Sequence, residues 1–359
     1  MKSQLGLKKV LPAAALSATA LVLSACQPEV GVGGDPETAV QANATPADSP
    51  QDASPDGEHV EFAHDVEDMD AVADTISVRS GESLFIGTQA DFAGDDATEV
   101  SIDAACGDLS ATADKFVLAC GDKVLFFNPD SPDSPEELAV NEEEPVTVAT
   151  QLSDGAVFVG SANSPIVGIY RDGERDEEIE VEEGSDQMLA VPNDDVEDGV
   201  VRILRADSTI QNVDWTENRA GGRLRVGQGV GEIAVGDNGV VVAADTAGER
   251  IAIYTSRDVV RLHQYGNTEG IPWAVAWDNS RNLAWAATTD NNQAEAFEIS
   301  SGAPKSVGTI NTVADAQSMA VLDDGTVVTA SATGDGLQFV SDPDLDSADD
   351  AATDSESGE

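Results

Sequence analysis

Carboxylates are the most abundant groups in this sequence that could do chemistry. The chain carries 68 Asp and Glu residues against 18 Lys and Arg. Asp103, Asp237 and Asp278 lie beside short apolar runs that read as strands, so they could line a channel between those strands and hold a cation. Asp is also a usual residue of tight turns. The turn interpretation explains most of these positions, and the cation site remains an alternative.

Histidine and serine patterns give no catalytic set. Of three histidines, His59 and His64 have a spacing that places two metal ligands on one face of a helix, but their acidic neighbours favour an exposed linker. His263 falls in a predicted outer strand and reads as a surface residue. No Gly-x-Ser-x-Gly motif occurs. We therefore predict no catalytic residue, no metal site and no cofactor, and leave open whether the protein is an enzyme.

The glycine and tryptophan patterns do not identify a functional site either. The Gly-rich residues 227–231 precede a predicted strand, whereas a phosphate-binding loop needs a helix there, so they read as a linker. Trp273 and Trp277 would share one face of a strand. That face would be protein core or part of a ligand surface. Together with Trp215 and Trp285, they do not form a Trp-rich repeat.

Cys106 and Cys120 are predicted to form a disulfide. They flank a turn near Asp114, so antiparallel strands over residues 100–106 and 116–120 would bring them face to face. A loop of this size constrains the unfolded chain by roughly 3 kcal/mol. Two buried free thiols are the alternative, and a metal site is weaker still because no histidine lies nearby.

The first 26 residues have the order of a secretory signal peptide. Lys2, Lys8 and Lys9 precede an apolar run over residues 10–23, which is shorter than the ~20 residues of a membrane-spanning helix. Leu-Ser-Ala-Cys, ending at Cys26, resembles the lipobox of bacterial lipoproteins. The resemblance implies cleavage before Cys26, a lipid (palmitate) on its thiol, and a place on the outer face of the cell membrane. An ordinary signal peptide with an accidental cysteine is the alternative.

The charge balance excludes one class of partner. Loss of residues 1–25 would remove three lysines and no acid, leaving 15 basic and 68 acidic residues and a net charge of −53. Such a field repels nucleic acid. The charge could serve to attract cations or basic proteins, or it could reflect a high-salt habitat. Solubility on a crowded surface is the interpretation we favour.

The ends of the chain differ in composition from its centre. Residues 26–70 are rich in Pro, Ala, Asp, Glu, Gly and Ser, and residues 342–359 are acidic and Ser-rich. Segments that bury little apolar surface do not offset their chain entropy. We therefore predict a signal peptide over 1–25, a disordered tether over 26–70, a folded domain over 71–341 and a disordered tail over 342–359.

The central region repeats. Short Val, Ile and Ala strands flank polar turns, and successive turn residues lie 40, 40, 43, 41 and 45 positions apart, at Asp114, Asp154, Asp194, Asp237, Asp278 and Asp323. A further turn at Ser80-Gly81 makes seven units. A period near 40 with several strands per unit is typical of a β-propeller. The predicted fold is all-β, a seven-bladed β-propeller, in which a strand near residues 75–79 completes the last blade.

Residues 229–340 resemble the YVTN-type propeller repeats of bacterial surface and periplasmic proteins, which are related to quinoprotein and lactonase propellers. The best match begins at Ile271-Pro272, runs through an apolar strand to Asp278-Asn279, and continues in a second strand toward Asp290. A Pro before the inner strand is missing from most other units. The resemblance implies a seven-bladed propeller and no particular activity.

Three functional hypotheses follow. The first is a lipid-anchored propeller that binds or scaffolds a protein or envelope component outside the cell membrane. The second is a lactonase-like or oxidoreductase-like enzyme with a metal or quinone in its central channel. The third is a passive surface protein whose negative charge is its purpose.

Overall fold

The computed structural model describes residues 43–345, and these form an all-β, seven-bladed propeller. Each blade is an antiparallel sheet of four strands. The fold predicted from the 40-residue period is therefore confirmed. The predicted signal peptide and the lipid attachment site Cys26 lie outside the described residues, as do residues 346–359.

In each of the first three blades, four consecutive strands run from the centre outward. Before them stands β1, Glu58–Val60, which belongs to the last blade. The strands of blades 1 to 3 are β2 Asp68–Val72, β3 Thr75–Ser80, β4 Ser83–Thr88, β5 Thr98–Ser101, β6 Cys106–Ala111, β7 Phe116–Cys120, β8 Lys123–Phe127, β9 Glu136–Ala139, β10 Val148–Gln151, β11 Val157–Ser161, β12 Ser164–Arg171 and β13 Glu174–Glu180.

Blades 4 to 6 repeat this order, and blade 7 has three strands of its own. The strands are β14 Gln187–Val191, β15 Gly199–Leu204, β16 Thr209–Asp214, β17 Arg219–Arg225, β18 Val230–Val235, β19 Val240–Asp245, β20 Arg250–Ser256, β21 Val260–Asn267, β22 Pro272–Asp278, β23 Leu283–Thr288, β24 Gln293–Glu298, β25 Lys305–Asn311, β26 Ala316–Val321, β27 Val327–Ser331 and β28 Leu337–Val340. The described helices are α1, Gln89–Ala93, and five 3-10 turns at Arg205–Asp207, Trp215–Glu217, Asp237–Gly239, Thr246–Gly248 and Thr289–Asn291.

The core is divided among the blade interfaces. Each pair of neighbouring blades encloses one cluster of buried side chains, mostly Val, Ile, Leu, Ala and Phe. The second strands are buried on both faces, as in Phe116–Cys120 and Val327–Ser331, which explains their unbroken apolar sequences. Burying one such side chain contributes about 1.5–3 kcal/mol. The inner strands β2, β6, β10, β14, β18, β22 and β26 contact one another in turn around the centre.

The ring is closed by a strand from upstream of the first blade. Glu58–Val60 pairs antiparallel with Leu337–Phe339 and becomes the outer strand of blade 7. The prediction that residues 75–79 close the ring is wrong, because Thr75–Ser80 is the second strand of blade 1. Closure removes the two sheet edges that an open ring would expose.

The predicted tether ends earlier than expected. Residues 58–60 and 68–72 are strands, so the prediction of disorder up to residue 70 is wrong for this part. Residues 47–56 pack as a strap over blades 6 and 7. Ser49 Oγ donates to Thr289 O at 2.6 Å and accepts from Asp315 N at 2.9 Å. These hydrogen bonds, together with ladder pairing, supply stabilisation that the polar composition did not indicate.

The predicted tail also begins too early. Pro343 is buried, and Leu345 packs against the cluster between blades 6 and 7. The folded domain therefore extends past residue 341. No helix within residues 43–345 combines the length and hydropathy needed to cross a membrane.

The disulfide between Cys106 and Cys120 is confirmed. The two residues stand directly opposite in the β6–β7 hairpin, and both belong to the cluster between blades 1 and 2. The strand predicted over residues 100–106 is wrong, because Thr98–Ser101 is the outer strand of blade 1 and β6 begins only at Cys106. The chain changes blade between them.

Candidate functional site

A channel of about 1180 Å³ passes through the centre of the ring. The inner strands all begin at one end, the strand-start mouth, whose polar lining includes Asp68, Asp108, Asp186, Arg205 and Glu232. They end at the turn mouth, lined by Asp114, Lys115, Asp198, Asp237 and Asp323 among others. Ligand sites favour concave spaces of this scale, so the channel is the candidate functional site.

Bulges set the chemistry of the strand-start mouth. Near the start of β6, β18, β22 and β26, the inner strand carries one residue more than its partner. The residues in these irregular stretches that line the channel include Asp108, Glu232, Trp273 and Gln317. A β-bulge interrupts the alternation of a strand and re-aims a side chain. Four blades thus direct large or polar side chains to one end of the channel.

Arg205 is the main cation of the strand-start mouth. It follows β15 in blade 4, and its backbone N–H donates to Asp186 Oδ2 at 2.7 Å. Its guanidinium donates to Glu232 Oε1 at 2.6 Å and to Gly231 O at 3.1 Å. The guanidinium carbon lies 5.8 Å from the ring centre of Trp273. Arg205 therefore links blades 4, 5 and 6 across the mouth.

Blades 1 and 2 contribute carboxyls to the opposite side. Asp68 Oδ2 accepts from Leu109 N at 2.8 Å, which joins these two blades. Asp70 Oδ1 accepts from the N–H of Ala71 at 2.8 Å. The Oδ2 atom of Asp108 is inaccessible to solvent and has no hydrogen-bond partner among residues 43–345. This side of the channel is thus rich in acceptors and poor in donors.

Burial shifts the pKa values of these three carboxyls upward. It raises the pKa of Asp68 to about 6, against the Leu109 N–H and Arg79, which lower it. Burial and the neighbouring Asp68 raise the pKa of Asp70 to about 7. Burial also raises the pKa of Asp108 well above its ordinary value, and Asp68 and Glu232 add to the shift. All three border the channel and are only half-buried by surface area, so channel water moderates these shifts.

The carboxyls have the opposite effect on the arginine. Burial alone would lower the pKa of Arg205, but Glu232, Asp108, Asp186 and Asp68 together outweigh it, and the pKa is raised. Arg205 is therefore held in its charged form. One fixed cation therefore faces the carboxyls of Asp68 and Asp108, whose pKa values burial raises.

Part of the channel wall, in blades 6 and 7, is apolar. It is lined by Trp273, Val275, Trp277, Met319 and Val321. The expectation that the two tryptophans share one face of the strand is wrong, because the bulge after Pro272 breaks the alternation. Trp273 packs against the cluster between blades 6 and 7, and Trp277 belongs to the cluster between blades 5 and 6. Both roles considered from the sequence, blade core and channel wall, are combined in these residues.

The three aspartates considered as cation ligands are not brought together. Asp103 is exposed in the turn before β6, where its Oδ1 accepts from Ala105 N at 2.8 Å. Asp278 is fully buried and accepts from Ser280 Oγ, Arg281 N and the Arg281 guanidinium. Only Asp237 lines the channel, and it is exposed at the turn mouth. The turn interpretation therefore fits Asp103 and Asp278.

The histidines occupy three separate environments. The Nε2 atom of His59, in β1, lies at hydrogen-bond distance from Asp335 O. His64 contacts the rings of Phe62 and Phe85, and His263 is exposed on the outer strand β21, as predicted. Within residues 43–345, no three His, Cys, Asp or Glu side chains form a group that could hold a metal ion.

Of the Gly-rich residues 227–231, the first three join blades 4 and 5, as predicted, whereas Val230 and Gly231 already belong to β18. The buried carboxylate of Asp245 accepts from Gln228 N at 2.7 Å and from Gly229 N at 3.1 Å. A side chain at Gly227, where φ is +51°, would collide with this carboxylate. The glycines therefore serve the blade junction.

Sequence reasoning missed the main residues of the strand-start mouth. Asp68 and Asp70 fell inside the predicted tether, and Asp108 and Glu232 read as ordinary strand residues. One signal was available. Asp74, in the first turn between an inner and a second strand, lies 40 positions before Asp114. Using it as a marker would have placed β2, with Asp68 and Asp70, in the first blade.

Comparisons with known proteins support the fold. No family model matches the chain, and no curated protein matches it. Among solved structures, a chain of the mitotic checkpoint complex is 11% identical, with a TM-score of 0.62 over 91% of this chain and 100% of that one. Streptogramin B lyase is 12% identical, with a TM-score of 0.61 over 80% and 97%. The WD40 propeller of Doa1 is 15% identical, with a TM-score of 0.58 over 81% and 98%. At these identities the likeness is one of fold.

Proposed function

We propose that this protein is a lipid-anchored propeller on the outer face of the cell membrane that binds a protein or envelope component. The observation that carries the binding role is the strand-start mouth. There, bulged strands and one short turn bring carboxyls, Arg205 and Trp273 together around one opening. Such a concentration of polar and aromatic groups in a concave space is typical of a binding site.

The Cys106–Cys120 disulfide supports the proposed location. Structural disulfides persist in oxidising compartments and are rare in the cytosol. The sequence of residues 1–26 supports export and lipid attachment at Cys26. The Cys26→Ser variant of the full chain should lose membrane retention in fractionated cells, while a Cys106→Ser/Cys120→Ser double variant keeps it. Equal retention of the Cys26→Ser variant would rule out the lipid anchor.

The binding role is tested by crosslinking in intact cells. The wild-type chain should capture a defined envelope component that Asp108→Asn loses and Asp237→Asn keeps. The two substitutions make the same chemical change, one at the strand-start mouth and the other at the turn mouth. Capture that is identical for all three chains would place binding outside the strand-start mouth and contradict the proposal.

A second candidate function is enzymatic. Asp70, with a pKa raised to about 7 by burial and Asp68, has the property of a general acid or base near neutral pH. The likeness to streptogramin B lyase is one of fold and adds no residue to this argument. Metal analysis and an absorption spectrum of the purified protein separate the candidates. A stoichiometric metal or chromophore would favour the enzyme.

A further inference from the structure

We infer that the central channel binds a small organic cation, a primary amine or guanidinium compound with an apolar body, whose charge lies against Asp68 and Asp108. This inference rests on the proposed binding role of the strand-start mouth and names the ligand's chemistry. It requires neither the lipid anchor nor a protein partner.

The first argument is the charge within the channel. Asp68, Asp108, Asp186 and Glu232 line the strand-start mouth, and Asp70 lies deeper on the same strand as Asp68. The arginines that line this end are Arg205 and Arg79. Glu232 already accepts from Arg205, and Glu67 forms an ion pair with Arg79. The carboxyls of blades 1 and 2 are left with little cationic compensation, which a cationic ligand would supply.

The second argument is a polar atom without a partner. The Oδ2 atom of Asp108 makes no hydrogen bond within residues 43–345, and Asp108 lines the channel. Buried polar groups in folded proteins are nearly always paired, so an unpaired carboxyl oxygen calls for an explanation. An N–H donor of a ligand in the channel provides one.

The third argument selects an organic cation with an apolar body. The channel that holds the carboxyls of blades 1 and 2 is also lined by tryptophans and aliphatic side chains of blades 5 to 7. Trp273 already has a guanidinium, that of Arg205, near its ring, and aromatic rings attract cations in this way. A ligand with an ammonium group at one end and an apolar body would use both walls.

The groups that face these carboxyls define the pH dependence of binding. Arg79 and Glu232 act on Asp68, Asp68 acts on Asp70, and Arg205, Asp68 and Glu232 act on Asp108. Their net effect with burial is to keep the carboxyls protonated to higher pH than usual. Alkylamines keep their charge to about pH 10, as lysine does. Binding of an amine should therefore strengthen as pH rises from 5 to 8.

The test is isothermal titration calorimetry on the full chain with three matched probes. These are 2-phenylethylamine, the neutral 2-phenylethanol and the anionic phenylacetate. At pH 8 we expect the amine to bind at least tenfold more tightly than the alcohol, and phenylacetate to bind more weakly still. The affinity for the amine should fall at least tenfold at pH 5. Asp108→Asn should lose at least tenfold in affinity, and Asp237→Asn less than twofold.

Several results would overturn the inference. They are equal affinity for amine and alcohol, affinity that is unchanged between pH 5 and pH 8, and tight binding of Ca²⁺ or Mg²⁺ with no binding of the amine. The pH comparison uses wild-type protein, so it decides the matter even if Asp108→Asn does not fold. If the wild-type chain binds the amine but crosslinks to no envelope component, the proposed function is contradicted and the inference stands.

Discussion

The interior of blade 4 and the carboxyl-lined side of the channel in blades 1 and 2 accommodate ionisable groups differently. In blade 4, Arg202 is 1% exposed, and its guanidinium donates to Ser185 Oγ, Gln211 Oε1 and the carbonyl oxygens of Glu183 and Gly184. Burial lowers the pKa of Arg202 only to about 10, so it stays charged. In blades 1 and 2 the half-buried carboxyls have few donors, and burial raises their pKa values.

This difference distinguishes ionisable groups with a structural role from those that a ligand could bind. A charge that its surroundings satisfy is a fixed structural element, as Arg202 is. A carboxyl that its surroundings leave partly unsatisfied changes protonation easily and is available to a ligand. The acidic side of the channel is therefore where binding is expected, and the Arg202 network is where stability is expected.

The largest expected effect is at Arg202. Arg202→Met leaves several buried acceptors unpaired and should reduce the free energy of unfolding by about 3–5 kcal/mol. Urea denaturation measures this. Arg219→Ala is the control, because Arg219 is 67% exposed in its ion pair with Asp214, and such surface pairs contribute about 0–1 kcal/mol. Similar losses for the two variants would show that the Arg202 network is not structural.

Removal of the Cys106–Cys120 disulfide, in blade 2, should have the next largest effect on stability. The bulge that carries Asp108 begins directly after Cys106, so the disulfide anchors it. Cys106→Ser/Cys120→Ser should cost roughly 3 kcal/mol, measured as a lower thermal midpoint. A reductant should lower the midpoint of the wild type to that of the variant and leave the variant unchanged. A wild-type midpoint that is insensitive to full reduction would contradict this.

Asp70 should produce a smaller effect that depends on pH. Its folded pKa, about 7, lies above the ordinary value of 3.8, so the folded state binds more protons between these values. This stabilisation is complete below pH 4 and is lost as pH rises through 7. Between pH 5 and 8 the free energy of unfolding should therefore fall less for Asp70→Asn than for the wild type. The difference should be about 1–2 kcal/mol. Asp237→Asn controls for net charge, and parallel pH profiles for wild type and Asp70→Asn would refute the shift.

The smallest effect is expected at Glu232, which pairs with Arg205 and also acts on Asp68 and Asp108. Its charge raises the pKa of Asp68 and Asp108, so Glu232→Gln should lower both values. The pH at which the amine begins to bind should move down by less than one unit. Loss of the Glu232 charge and release of Arg205 both favour ionised carboxyls, so an upward move would contradict the account.

The sequence predicted the architecture well because blades repeat. Turn residues such as Asp154 and Asp323 recur about 40 positions apart, and the strands between them are apolar. Cys106 and Cys120 were paired correctly because they flank one such turn. The first blade differs from the prediction because its turn between the inner and second strands is at Asp74, whereas Ser80-Gly81 joins β3 to β4. The blade therefore begins earlier in the chain, with β2, and the ring is closed by β1 instead of residues 75–79.

The candidate site was harder to predict, because it depends on tertiary geometry. Glu232 and Asp68 interact although they lie in blades 5 and 1. Whether Asp108 or Trp273 reaches the channel depends on bulges, which add a residue without a clear local pattern. Strict alternation along the strand predicts that Trp273 and Trp277 share one face. The one extra residue in β22 changes this pattern, so the prediction fails.

The central claim is that the acidic side of the channel holds an organic cation. A crystal structure of the protein with 2-phenylethylamine at pH 8 tests it most directly. The account predicts the ammonium nitrogen within hydrogen-bond distance of Asp108 or Asp68, and the phenyl ring against the wall that contains Trp273. An amine found only on the outer surface of the ring, with the channel free of it, would contradict the claim.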